Sequence, residues 1–147
     1  MKKLCILNIV AGIAILIIPT LLLPVCSNLT PSGAHMGCYY TRILSVICGA
    51  VIFILGLLGI LLPSNKVIWR LQFVLVALIS LFAYLAPMRI IKIGNMQSMG
   101  WQVGLCKPGM EMACREHTWP VLGPVLLVLA ALNLLIFIYI SIARSKR

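Results

Sequence analysis

The chain has 147 residues, 63% of them hydrophobic and 10% charged, with a mean hydropathy of +1.14. Soluble domains are nearer half apolar and a quarter charged, so a water-soluble core is excluded and most of the chain must face lipid. The net charge of +10, twelve Lys and Arg against Glu111 and Glu116, lies at the ends of apolar runs without a basic stripe or aromatic platform, which excludes nucleic acid and points to anionic headgroups.

Four stretches, roughly residues 4–25, 42–62, 69–88 and 119–142, are apolar enough to cross about 30 Å of hydrocarbon as helices of about 20 residues. An open sheet would leave backbone groups unsatisfied in lipid. The expected fold is therefore all-α, an integral membrane four-helix bundle that forms a single transmembrane domain over 1–147. It is built from two tandem hairpins, 1–65 and 66–147, with two short external Cys-containing loops.

The first span opens Met1-Lys2-Lys3 like a signal peptide. Its apolar run of about 20 residues exceeds the usual 7–15, and "LLPVC" offers no small-residue cleavage site, so it reads as a retained helix. In the second span Ser45, Gly49, Gly56 and Gly59 form a small-residue strip for close helix approach. Pro63-Ser64-Asn65 makes the break before the third span. Gln72 in the third span and Asn133 in the fourth are expected to hydrogen-bond between helices. Cys5 and Cys48 fall within spans and read as small buried hydrophobes.

Loop charges set the orientation. One side carries Lys2, Lys3, Lys66, Arg70, Arg144, Lys146 and Arg147, and the other Arg42, Arg89, Lys92, Lys107 and Arg115. The excess places both termini in the cytoplasm and both remaining loops outside.

Those loops repeat a short pattern, "HMGCYYT" at 35–41 and "EMACREHT" at 111–118. Each carries a Cys, then Met-x-Cys, then a Thr at the start of the next helix. The first set is Cys26, Met36, Cys38 and Thr41, and the second Cys106, Met112, Cys114 and Thr118. Duplication of a two-span unit accounts for this economically. On an oxidising face the four cysteines would form disulfides, and the repeat favours Cys26–Cys38 and Cys106–Cys114 over a cross-hairpin pair such as Cys26–Cys106.

The patterns "LPVC…MGCYYT" and "C…MEMACR…TWP" resemble a family of small bacterial four-helix membrane proteins catalogued only as a domain of unknown function. The resemblance spans nearly the whole chain. It rests on Cys26, Met36, Cys38, Tyr40, Thr41, Cys106, Met112, Cys114, Arg115, Thr118 and Pro120. It implies a multi-pass protein of the bacterial plasma membrane, but no activity and no functional residue. One departure stands out: the family pattern leads us to expect "CHYT", where this chain has Cys38-Tyr39-Tyr40-Thr41.

Three uses of the cysteine-rich loops remain open. They are structural staples; or they are a thiol-disulfide centre similar to quinone-linked membrane enzymes, although no C-x-x-C occurs and activation would fall to Arg42 and Arg115; or Met36, Cys38, Met110, Met112 and Cys114 bind Cu(I), which thiolates and thioethers select. Disulfide and metal compete for the same sulfurs. Arg89 and Lys92 follow Pro87, three apart and so on one helix face, and with Arg42 and Lys107 they are candidates for an external anion site. No Ser/His/Asp group, phosphate loop or paired carboxylate is present. The expected function is that of a non-enzymatic accessory subunit bound to a larger transporter or envelope complex, or to its own copies. No cofactor is indicated.

Overall fold

A computed structural model describes residues 2–22, 33, 35–61, 66–95, 101–105 and 114–145. Four α-helices carry the fold: α1 (Lys2–Ile17), α2 (Gly37–Leu61), α3 (Lys66–Leu85) and α4 (Trp119–Ser145). Each belongs to a span long and apolar enough to cross a membrane, Cys5–Leu22, Gly37–Leu61, Val67–Leu85 and Cys114–Ile142. Only 22–39% of each span is buried within the bundle. Leu21, Leu71, Val67 and Leu135 are among the large side chains facing outward, as lipid contact requires.

The helices run alternately up and down. In α1 and α2, Gly12 lies against Gly49 and Phe53, and Cys5 and Ile9 lie against Gly56. A Cβ on Gly12 would come within 2.7 Å of the Phe53 nitrogen, so only glycine lets the two backbones meet there. Arg70 near the start of α3 donates to the Ile140 carbonyl near the end of α4 at 3.0 Å. At the other end of this pair, Tyr84 stacks on Trp119. The core comprises Ile15, Ile18, Cys48, Ile52, Val76, Ala83, Leu122, Leu126 and Leu129.

The expected strip is buried throughout: Ser45, Gly49, Gly56 and Gly59 all face inward. Gly59 is filled by the Gln72 amide, which also reaches Cys5 Sγ at 3.9 Å. Asn133 forms the expected interhelical bond, with Asn8 as partner. Each amide donates to the other, at 3.0 and 3.1 Å, and Asn133 also donates to the Leu129 carbonyl. Cys5 and Cys48 are buried free thiols.

Helix ends differ from expectation in three places. First, α2 begins at Gly37 rather than 42, so Cys38 lies in its first turn and not in an external loop. Nothing between Gly37 and Thr41 breaks a helix, and the Thr41 hydroxyl caps back onto the Gly37 carbonyl at 3.1 Å. Second, Cys114–Thr118 forms a π-helical turn that leads directly into α4, so Cys114 is helical too. Third, α3 stops at Leu85, because Pro87 restricts the residue before it and cannot donate to a helical carbonyl. Arg89 and Lys92 therefore do not share a helix face. Arg89 sits in a turn at φ 61°, its nitrogen bonded to the Ala86 carbonyl, and both side chains are exposed.

A second π-helical turn, Ile18–Leu22, extends α1. Pro19 within it lacks the donor an α-helix needs, and the wider turn absorbs that loss. The Thr20 hydroxyl takes up the Leu16 carbonyl at 2.6 Å. Beyond α3, a pair of two-residue strands, β1 (Gly94–Asn95) and β2 (Trp101–Gln102), forms an antiparallel ladder. This ladder was not expected from the sequence. It forms a cap at the end of the bundle away from the chain termini.

A candidate thiol site under the cap

Backbone hydrogen bonds hold the cap together and tie it to α2 and to the turn after α3. Val103 donates to the Ile93 carbonyl, Leu105 to the Pro87 carbonyl and Gly104 to the Gly37 carbonyl. The Thr41 hydroxyl sits at the centre of the seam. It receives the Gly104 N–H at 3.1 Å and lies 3.2 Å from the Gly104 carbonyl and 3.1 Å from that of Gly37. Gly37 permits this approach, since a Cβ there would press on the Gln102 and Gly104 carbonyls at 3.0 and 3.1 Å. Arg89 lies across Gly104, 2.7 Å from the position of a Cβ.

Beneath this seam the two repeated patterns meet. Cys38 and Thr41 from the first, and Cys114 and Thr118 from the second, line one small cavity with Arg42, Pro19 and Trp119. All four pattern residues are buried, the cysteines at 0% and 1% exposure. The second pattern has one more residue between Cys and Thr than the first. The π-helical turn houses this extra residue, since such a turn spans five residues per bond rather than four. Thr118 thereby reaches the same cavity as Cys114, as Thr41 does with Cys38. The spacing mismatch was visible in the sequence, but nothing there indicated that a π-turn would correct it.

The free space amounts to about 10 Å³, about the minimum that admits one water-sized atom. The Thr41 and Ser45 hydroxyls bond backbone carbonyls, and the half-buried Arg42 also lines the cavity. Two sulfur-bearing side chains beside a space of single-atom size suit a soft occupant.

The remaining candidates disperse. Arg89 and Lys92 are exposed on the cap, as are Arg115 and His117 beside the cavity. Met36 precedes α2 and does not line the cavity. Cys26, Cys106, Lys107, Met110 and Met112 lie outside the described residues. Neither Cys38 nor Cys114 is disulfide-bonded to another described cysteine. Among the described residues no three His, Cys, Asp or Glu side chains cluster as metal ligands. At the position where a His was expected, Tyr39 stacks on His35 with centroids 4.1 Å apart, and the buried His35 Nδ1 has no hydrogen-bond partner. That orphan nitrogen is a feature the sequence did not single out.

A family model described as "Domain of unknown function (DUF4418)" matches residues 8–141. No curated protein and no solved structure matches the chain.

Proposed function

We propose, for a chain that belongs to the DUF4418 family, a non-enzymatic accessory subunit of the bacterial plasma membrane. Both termini lie in the cytoplasm, and the cap is its docking face outside. The observation that carries this reading is the division of labour at the capped end. Its reactive groups, Cys38 and Cys114, are buried under a seam held by Thr41 and Gly104, while Arg89, Lys92 and Arg115 are exposed on its outside. A buried thiol is inert toward an outside partner, whereas an exposed cationic rim can meet anionic headgroups or an acidic partner surface. The same burial weighs against a quinone-linked enzyme, whose working thiol must meet a protein dithiol.

In the oxidised chain, Cys26–Cys38 and Cys106–Cys114 would each close their own loop, which the chain-entropy model values at roughly 3 kcal/mol per loop. Tandem duplication of one hairpin explains why both halves bring a Cys and a Thr to the same place. The partner is a larger transporter or envelope complex, or a second copy of the chain.

Affinity purification from native membranes tests this reading. The expected result is a stoichiometric partner, or a homo-oligomer, that dissociates when Arg89 and Lys92 are both changed to Gln. Association unchanged in that double variant would refute the cap as the docking face.

A further inference from the structure

We propose that, in the reduced chain, Cys38 and Cys114 are the two ligands of a Cu(I) site shared between the hairpins. This goes beyond the accessory role and does not depend on it. Disulfide staples use the same sulfurs, so oxidised staples and a loaded metal site exclude each other.

Three observations converge. The two sulfur-bearing residues come from opposite hairpins yet line one cavity, both essentially without solvent contact. Its free space is of single-atom size. Hard cations need several oxygen ligands, and structural zinc needs four donors. Neither set is available from the described residues, where no three-ligand cluster occurs. Thiolates select Cu(I), and a d10 monovalent ion accepts two sulfurs in near-linear geometry. A repeated pattern that delivers one equivalent donor from each side suits such a pair.

Charge points the same way. A Cu(I) ion between two thiolates carries one net negative charge, and Arg42 lines the same cavity. Its half-buried side chain brings a positive charge to the same end of the bundle to offset it. On loading, each thiol releases its proton to water and its sulfur bonds to the ion. No electron moves, so no oxidant or reductant is required beyond the conditions that keep both thiols reduced. Thr41 and Thr118 hold the ends of α2 and α4 in place and do not act as ligands.

The full chain, purified in detergent under anaerobic reducing conditions, should be titrated with Cu(I) against a chromogenic Cu(I) chelator. One ion per chain should be withdrawn from the chelator, and X-ray absorption should show sulfur neighbours only. Cys38→Ser and Cys114→Ser should each lose that binding. The paired variant Cys26→Ser/Cys106→Ser should keep it, which separates this cross-hairpin site from one built by the loop cysteines. Arg42→Gln should weaken affinity by about tenfold, the range seen when a group supporting metal ligands is removed. Because a serine variant could lose binding by misfolding, the absorption spectrum and the loop-cysteine variant stand as independent arms. Loss of binding in the loop-cysteine variant would overturn the proposal. So would nitrogen or oxygen ligation, retention in Cys38→Ser and Cys114→Ser, or failure of the wild-type chain to compete for Cu(I).

Discussion

The two ends of the bundle both bury polar chemistry in a lipid-facing protein, and they handle it in opposite ways. Near the termini, Asn8 and Asn133 exchange hydrogen bonds and Gln72 fills the notch at Gly59. The amides of Asn8 and Asn133 are turned onto each other across the bundle. At the capped end the hydroxyls are likewise consumed, Thr41 by Gly37 and Gly104 and Ser45 by the Thr41 carbonyl at 2.9 Å. The two cysteines nevertheless border a common void. In lipid an unmet amide is costly, so evolution closes amides on themselves. A thiol is a weak donor that behaves as a small hydrophobe, so it can be held beside an empty space at little cost. The amide end is architecture, and the capped end brings two cysteines from opposite hairpins to one cavity.

The most severe way to break this contrast is to separate the helices that carry both ends. Gly12→Leu would drive a side chain into the α2 backbone at Phe53 and should cost about 3 kcal/mol or more, read as an earlier unfolding transition in mixed micelles. Asn133→Leu acts on one end alone. It strands the Asn8 amide and should cost about 1–2 kcal/mol, with part of the loss recovered when Asn8→Leu is added. Thiol reactivity at Cys38 and Cys114 should not change in that variant.

Thr41→Val sharpens the contrast from the other side. It removes the acceptor of the Gly104 N–H and should cost about 1 kcal/mol. The diagnostic readout is faster hydrogen exchange at Gly104, with no effect near Asn8. Arg70→Gln should be the mildest, about 0.5 kcal/mol, because it removes one cation from the Ile140 carbonyl near the end of α4. The Arg70 head also leaves its Nε without a partner, which limits what the wild-type contact contributes.

The sequence made the terminal end far more legible than the capped end. Apolar run lengths give the four spans, and the small residues of α2 reveal where a neighbour approaches. Gln72 and Asn133 announce themselves as polar residues inside lipid-length helices. Asn8 was missed because it lies close to the start of its span, where a polar residue needs no explanation. At the capped end the apolar criterion failed for a physical reason. The first turn of a membrane helix can be polar when other groups meet its backbone, as "GCYYT" and "CREHT" are here. Reading those residues as loop misplaced Cys38 and Cys114, both of which line one cavity from helical turns. The β1–β2 ladder had no signal, since two-residue strands carry no periodicity. Arg89 looked helical by spacing alone, but Pro87 decided the matter.

The central claim is that the two repeated patterns build one site at one end. A mercuric ion is of single-atom size and takes two thiolates in a linear pair, so it reports this convergence directly. It should be applied to reduced chain whose other cysteines, Cys5, Cys26, Cys48 and Cys106, have been replaced by Ala or Ser. One mercuric ion bridging Cys38 and Cys114 within a single chain, with the bridge absent when either is changed to Ser, is the predicted result. Two thiols that react only singly, or that are reached from opposite sides of the membrane, would contradict it.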